Sequence, residues 1–190
     1  SLLKRYKMAE CLITAGWVGP SCDETFNVPG IEKDKIYVGN KSEIEALTST
    51  VDGELDGITF EATKGLFALT VHKDTASWSE ELQIGANSGY YYNTSLTFRT
   101  IDGATTVRNA IEDMVGTALV FAVKDKNGSW FIIGETDGVE LSEQTKGSGA
   151  APGDDTGDVL TFSGVNRGKV KKFFNTDAAT TDTTLSGYLL

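Results

Sequence analysis

The 190-residue chain reads as mainly β: a β-sandwich or barrel-like domain with one flanking α-helix and extended loops or arms. Three observations carry this. Short runs rich in β-branched and aromatic residues recur along the chain, and the longest of them alternates with period two. Twenty-one glycines against three prolines point to many tight turns and few rigid linkers. The apolar fraction of 39%, which leaves glycine out, fits strands that keep one polar face.

The strand series opens at residues 35–38 (KIYV) and continues at 66–71 (LFALTV) and 78–84. Residues 90–100 (YYYNTSLTFRT) set Tyr92, Thr94, Leu96 and Phe98 on one face and Asn93, Ser95, Thr97 and Arg99 on the other. Residues 117–123 and 129–133 flank Asp125-Lys-Asn-Gly128. Asn127-Gly128 between two apolar runs predicts a type I′ hairpin turn, with positive φ at both central positions. Residues 159–162 close the series.

Helix is scarce. Val107, Ala110, Ile111, Met114 and Val115 share one helical face, Thr105 or Thr106 caps its start, and Gly116 stands where a left-handed stop belongs. A second, shorter helix is predicted over 43–48, because Ser42 and Glu45 form an S-x-x-E capping box. Residues 16–32, 144–157 and 175–187 are irregular by composition. The last two are expected to be disordered in an isolated subunit and to order only against neighbouring copies. The organisation that follows is a single β-rich domain over 1–174, irregular over 1–34, with a C-terminal arm over 175–190.

The formal charge of −10 excludes most nucleic-acid readers and anionic-membrane binders, which need a cationic surface. The same charge suits a conduit wall that lets DNA pass without holding it. No stretch approaches the roughly 18 apolar residues of a membrane span. The opening Ser1-Leu-Leu-Lys-Arg-Tyr-Lys7 lacks the apolar core of a signal peptide, so synthesis in the cytoplasm is expected. Cys11 and Cys22 have neither metal nor redox spacing and read as small buried hydrophobes.

Chemistry is hard to find. His72 is the single histidine, at the end of an apolar strand, so a histidine cluster for metal is impossible and any Ser-His-Asp arrangement would have to use it. It reads as an ordinary strand-end residue. Asp154, Asp155 and Asp158 could offer oxygens to a cation, but their spacing is not that of an EF-hand and reads as a solvated acidic turn. No catalytic, cofactor-binding or metal-binding residue is assigned, and no cofactor. In the basic segment 167–174 (RGKVKKFF), Lys169 and Lys171 alternate with Val170, as in an edge strand that lysines protect until it meets its partner.

The order of parts resembles the major tail tube proteins of long-tailed bacteriophages, in particular the divergent group from phages of Bacteroidetes hosts. It runs from CLITAGWVGPSCDETFNVPGIEKDKIYVGN through GYYYNTSLTFRT and VRNAIEDMVGTALVFAVKDKNGSWFIIGE to GVELSEQTKGSGAAPGDDTGDVLTFSG. The resemblance covers most of the chain. It implies a non-enzymatic virion protein whose subunits form rings, usually hexameric, with sheets joined into an inner barrel. The rings stack into a tube through which the genome passes without specific binding. Its partners would be copies of itself and other tail proteins, with no membrane. Two other readings stay open: a capsid decoration or connector protein, and a carbohydrate-binding sandwich with Trp17, Trp78, Trp130 and Tyr90-Tyr91-Tyr92 as stacking platforms.

Overall fold

The computed structural model describes residues 29–86, 89–101, 104–148 and 156–190. Among the described residues there are twelve strands: β1 (Ile31–Asn40), β2 (Ile44–Thr48), β3 (Glu54–Leu55), β4 (Gly57–Phe60), β5 (Phe67–Leu69), β6 (Ser77–Ile84), β7 (Tyr90–Arg99), β8 (Leu119–Asp125), β9 (Trp130–Ile133), β10 (Glu140–Gly147), β11 (Gly157–Asn166) and β12 (Lys171–Phe173). Two helices accompany them, α1 (Thr105–Met114) and α2 (Ala178–Gly187). The fold is mainly β, as expected, with the flanking helix α1 where the sequence placed it and a second helix, α2, where it announced none.

The strands form three sheets. A six-stranded sheet runs β3-β12-β9-β8-β1-β5, a four-stranded sheet runs β10-β11-β7-β6, and β2 pairs with β4. The two larger sheets pack face to face: Ile36, Val38, Phe121, Val123 and Ile133 of the first meet Leu96, Phe98, Leu160 and Phe162 of the second. Phe98, Phe121 and Phe162 form one aromatic cluster, with ring centroids 4.8–6.3 Å apart. The other face of the six-stranded sheet carries a second core, where Tyr37, Val120, Ala122, Trp130 and Ile132 pack with Ile58, Phe173 and Leu185. The central sheet is therefore covered on both sides, which explains why Leu119 to Val123 is an unbroken apolar run with every residue buried.

Strand β7 alternates as its sequence demands. Thr94, Leu96 and Phe98 are buried while Asn93, Ser95, Thr97 and Arg99 point the other way. The β8–β9 turn differs from expectation. Lys126, Asn127 and Gly128 form a three-residue loop closed by Asp125 and Ser129, and Gly128 alone has positive φ, at +87°. Asp125 supplies the reason: its carboxylate accepts the N–H groups of Asn127 and Ser129 at 3.0 and 2.8 Å, and its carbonyl accepts Gly128 N–H at 3.0 Å. That is a type I turn followed by a left-handed residue, the common three-residue hairpin.

The helix predicted over 43–48 is a strand. One 3₁₀ turn at Lys41–Glu43 is followed by β2, which pairs with β4 through a bulge between Ile44 and Ala46. Ile44 and Leu47 are three apart, a helical spacing. The bulge's extra residue re-phases the strand, so both still reach the second core. Helix α1 ends one residue earlier than predicted. Val115 is extended and 61% exposed, Gly116 takes φ +71°, and Ala104 rather than a threonine occupies the N-cap. Residues 31–34 belong to β1, not to an irregular segment, and residues 1–28 lie outside the described part.

The C-terminal arm is the largest correction. Residues 178–187 are helical and docked on the second core, with Leu185 fully buried and Thr181 at 2% exposure. Asp177 caps the helix by accepting Thr180 N–H at 2.8 Å. Hydroxyls of Thr181, Thr183 and Thr184 donate to carbonyls four residues earlier. The chain end is then stitched down: Leu66 N–H donates to Tyr188 O at 2.7 Å and Leu190 N–H to Leu66 O at 3.0 Å. Gly65 lies so close to the Tyr188 carbonyl that a side chain there could not fit. Segment 144–157 is corrected in part: β10 runs as paired strand to Gly147, opposite Gly157 of β11.

Candidate functional site

The feature that stands apart from packing is the open face of the four-stranded sheet. Register places Ser79 opposite Ser95 and Glu81 opposite Asn93, and on the other side Thr97 opposite Thr161 and Ser95 opposite Ser163. Strand β10 adds Glu140, Glu143 and Thr145. All of these point away from the core, because their strand neighbours Leu96, Leu160 and Phe162 are buried in it. The face is built mostly of short hydroxyl and amide side chains, with carboxylates at Glu81, Glu140 and Glu143, the guanidinium of Arg99, and Tyr91, Val159 and exposed Val165 among them. Thr97 and Thr161 hydroxyls meet at 3.2 Å across the strands. The polar half of β7 thus shares one surface with Ser79 and Glu81, while Glu80, paired with buried Thr94, turns to the other side.

The two edges of this sheet are long. β6 offers eight residues in unbroken register with β7, and β10 offers eight with one bulge between Leu141 and Glu143. Among the described residues neither edge meets a further strand. β6 (SWSEELQI) has no lysine, proline or bulge; of the usual devices that keep an exposed edge from pairing it carries only the carboxylates of Glu80 and Glu81, and Glu80 is engaged by Val170 N–H.

The basic segment is not an edge. β12 lies between β9 and β3 inside the six-stranded sheet. Lys171 Nζ contacts Glu135 at 2.9 Å and Lys172 Nζ sits 5.3 Å over the Phe174 ring. Val170 N–H donates to the Glu80 carboxylate, which ties the segment to β6. These lysines serve the subunit's own fold and stay off the polar face.

His72 is exposed, in the turn after β5, with its backbone N–H on Arg99 O at 2.8 Å and its carbonyl accepting the Thr75 hydroxyl at 2.7 Å. Asp158 is 1% exposed on β11: one oxygen accepts Gln144 Nε2 at 3.1 Å and the other lies 3.9 Å from Lys146 Nζ. It is a buried strand residue rather than part of a solvated turn, and Asp154 and Asp155 lie outside the described residues. No group of three or more His, Cys, Asp or Glu among the described residues is placed to hold a metal ion. Trp130 is 1% exposed beside Tyr37, which buries it as a core residue, and Trp78 is half-buried with its ring 5.1 Å from that of Phe131. Tyr90 and Tyr91 are exposed at the β6–β7 hairpin. Trp17, Cys11 and Cys22 lie outside the described residues.

No described protein family, curated protein or solved structure is detectably similar to the chain. No helix among the described residues is long and apolar enough to cross a membrane.

Proposed function

We propose that the protein is the repeating subunit of a phage tail tube, a structural virion protein that acts by packing against copies of itself. The observation that carries this reading is a four-stranded sheet with two long edges and a polar, Ser/Thr-rich outer face. Pairing β6 of one subunit with β10 of the next would propagate the sheet around a ring, and the outer face would become the wall of a lumen. Short hydroxyl side chains with few cations give DNA little to hold, since each phosphate neutralised by a cation adds affinity.

Electron microscopy of the purified protein in negative stain, with mass measurement in solution, tests the reading. Hollow filaments or rings of uniform diameter support it. A protein that stays monomeric at high concentration, or that coats capsids as single copies, would move it to a decoration or connector role.

A further inference from the structure

Two surfaces of this chain are apolar, free of charge and uncovered by any described residue, and they lie at opposite ends of one strand. The first is the tip of the β6–β7 hairpin. Ile84 is 74% exposed, Tyr90 65% and Leu82 50%. Ile84 opposes Tyr90 and Leu82 opposes Tyr92 on the side of the sheet that further along buries Leu96 against Trp78. The hairpin thus runs past the end of the sandwich with its core-facing side bare.

The second surface is a trough between β5 and α1. Leu69, Val71, Ile101, Val107, Ala110 and Met114 line a cavity of about 360 Å³ that has no charged residue in its wall. Ile101, at its mouth, is 50% exposed. A cavity of that size falls within the roughly 300–1,000 Å³ that encloses small apolar groups.

We infer that the β6–β7 hairpin tip of one copy seats in the β5–α1 trough of the next, in a head-to-tail contact. Electrostatics selects this pair of surfaces. Two copies that each carry −10 repel wherever carboxylates meet, whereas residues 82–92 contain no charge and the wall of this cavity has none, Asp113 lying in the adjoining part of the groove. Geometry sets the direction. Tyr90 at the tip and Phe98 in the trough wall stand eight residues apart on β7, a span of about 26 Å at ~3.3 Å per residue, so one subunit cannot satisfy both from its own surface. A contact between different patches is heterologous, so it propagates from copy to copy rather than closing a two-fold dimer, and because the patches lie at opposite ends of β7 it propagates along that strand. The inference deepens the tube reading by naming its axial contact, and rests on that reading's premise of self-assembly.

Cysteine cross-linking of the full chain tests it. Ile84→Cys and Ala110→Cys place thiols at two exposed positions. They are too far apart to join within one subunit, so a linked 84–110 peptide found by mass spectrometry after mild oxidation joins two copies. The expected result is that peptide as the main cross-link, formed also when the two single variants are mixed. Links confined to other positions overturn the inference. A link from position 110 to Cys11 or Cys22 gives the trough to residues 1–28 and overturns it equally. A separate variant, Ile84→Asp, is expected to raise the protein concentration needed for assembly roughly tenfold, the equivalent of about 1.4 kcal/mol; unchanged assembly counts against the contact. Microscopy separates this contact from the tube itself. Hollow tubes without the 84–110 link keep the tube and reject the contact, while the link in open chains without a lumen keeps the contact and rejects the tube.

Discussion

The indole N–H of Trp130 donates to Asp182 Oδ1 at 2.6 Å, joining β9 to a helix 52 residues further along the chain. The other carboxylate oxygen takes the Lys124 ammonium at 2.7 Å, and Lys124 is itself 6.0 Å from the Trp130 ring centroid. Three residues from β8, β9 and α2 thus close one polar triangle at the edge of the second core. It fixes the rotation of α2 so that Leu185 points inward.

Replacing Asp182 with Ala leaves the Trp130 indole N–H and the largely buried Lys124 ammonium without their partner. A buried donor left unsatisfied costs about 1–3 kcal/mol. The side chain of Asp182 is 37% exposed, which lets water recover part of this, so a loss toward the lower end is expected in chemical denaturation. Tryptophan fluorescence should shift in the same variant, and an unchanged denaturation midpoint would remove the triangle from the stability account.

Acid should loosen the same contact. Burial acts to raise the Asp182 carboxyl, but the hydrogen bonds from Lys124 and Trp130, with the Lys124 and Lys35 charges, hold it below the ordinary carboxylate value. A carboxyl lowered in the fold stabilises above its unfolded value of about 3.9, and that stability is lost as pH falls through the folded value. Asp182→Asn should therefore flatten the pH dependence of the melting temperature below about pH 4. A variant that follows the wild-type acid curve would show that other carboxylates govern it.

Leu185→Ala empties a fully buried position between α2 and the central sheet and is expected to cost about 2–5 kcal/mol. Deleting residues 175–190 should do more, because it also uncovers the Trp130 face and leaves Leu66 without its bonds to Tyr188 and Leu190. Circular dichroism and melting should collapse together. A truncated chain that melts like the full one would restore the arm to a purely intersubunit role.

His72→Ala should leave stability within about 0.5 kcal/mol of wild type, as for exposed positions without special contacts. Its ring Nδ1 meets only the Lys73 carbonyl, exposed and at 3.3 Å, and its other bonds run through the backbone, which the substitution keeps. Phage infectivity lost with normal folding and assembly would reveal a chemical role for this histidine.

Ser79→Lys with Ser95→Lys sets two cations side by side on the polar sheet face. Assembled wild-type protein should retain no DNA at moderate salt, whereas the variant should retain it with an affinity that falls steeply as salt rises. Equal retention by both would mean that this face does not meet DNA.

The period-two pattern of β7 was legible because an alternating strand with one buried face writes its burial directly into residue type, Leu96 and Phe98 against Ser95 and Thr97. Helix α1 was legible for the matching reason at period 3.6, with Ile111 at the centre of its buried stripe. One strand of the polar sheet face could be read from the alternation of β7. That β6 and β10 are its edges could not, since strand order depends on pairings between residues far apart in sequence. β12 shows the same gap: three residues rich in lysine look like an edge, yet Lys171 has Glu135 as its partner and the strand lies inside the sheet.

The amino-acid sequence by itself determined the β-rich class, the long alternating strand, helix α1, the β8–β9 hairpin and an acidic chain with little apparatus for chemistry. Tertiary structure alone decided the fate of the C-terminal segment. Its ten helical residues, AATTDTTLSG, offer one large apolar side chain and no amphipathic stripe, so local propensity predicts an unstructured arm. Leu185, Thr181 and Asp182 find their places only because Trp130, Lys124 and Leu66, distant in sequence, form the surface that receives them. Contacts made across such separations leave no periodic trace in either partner.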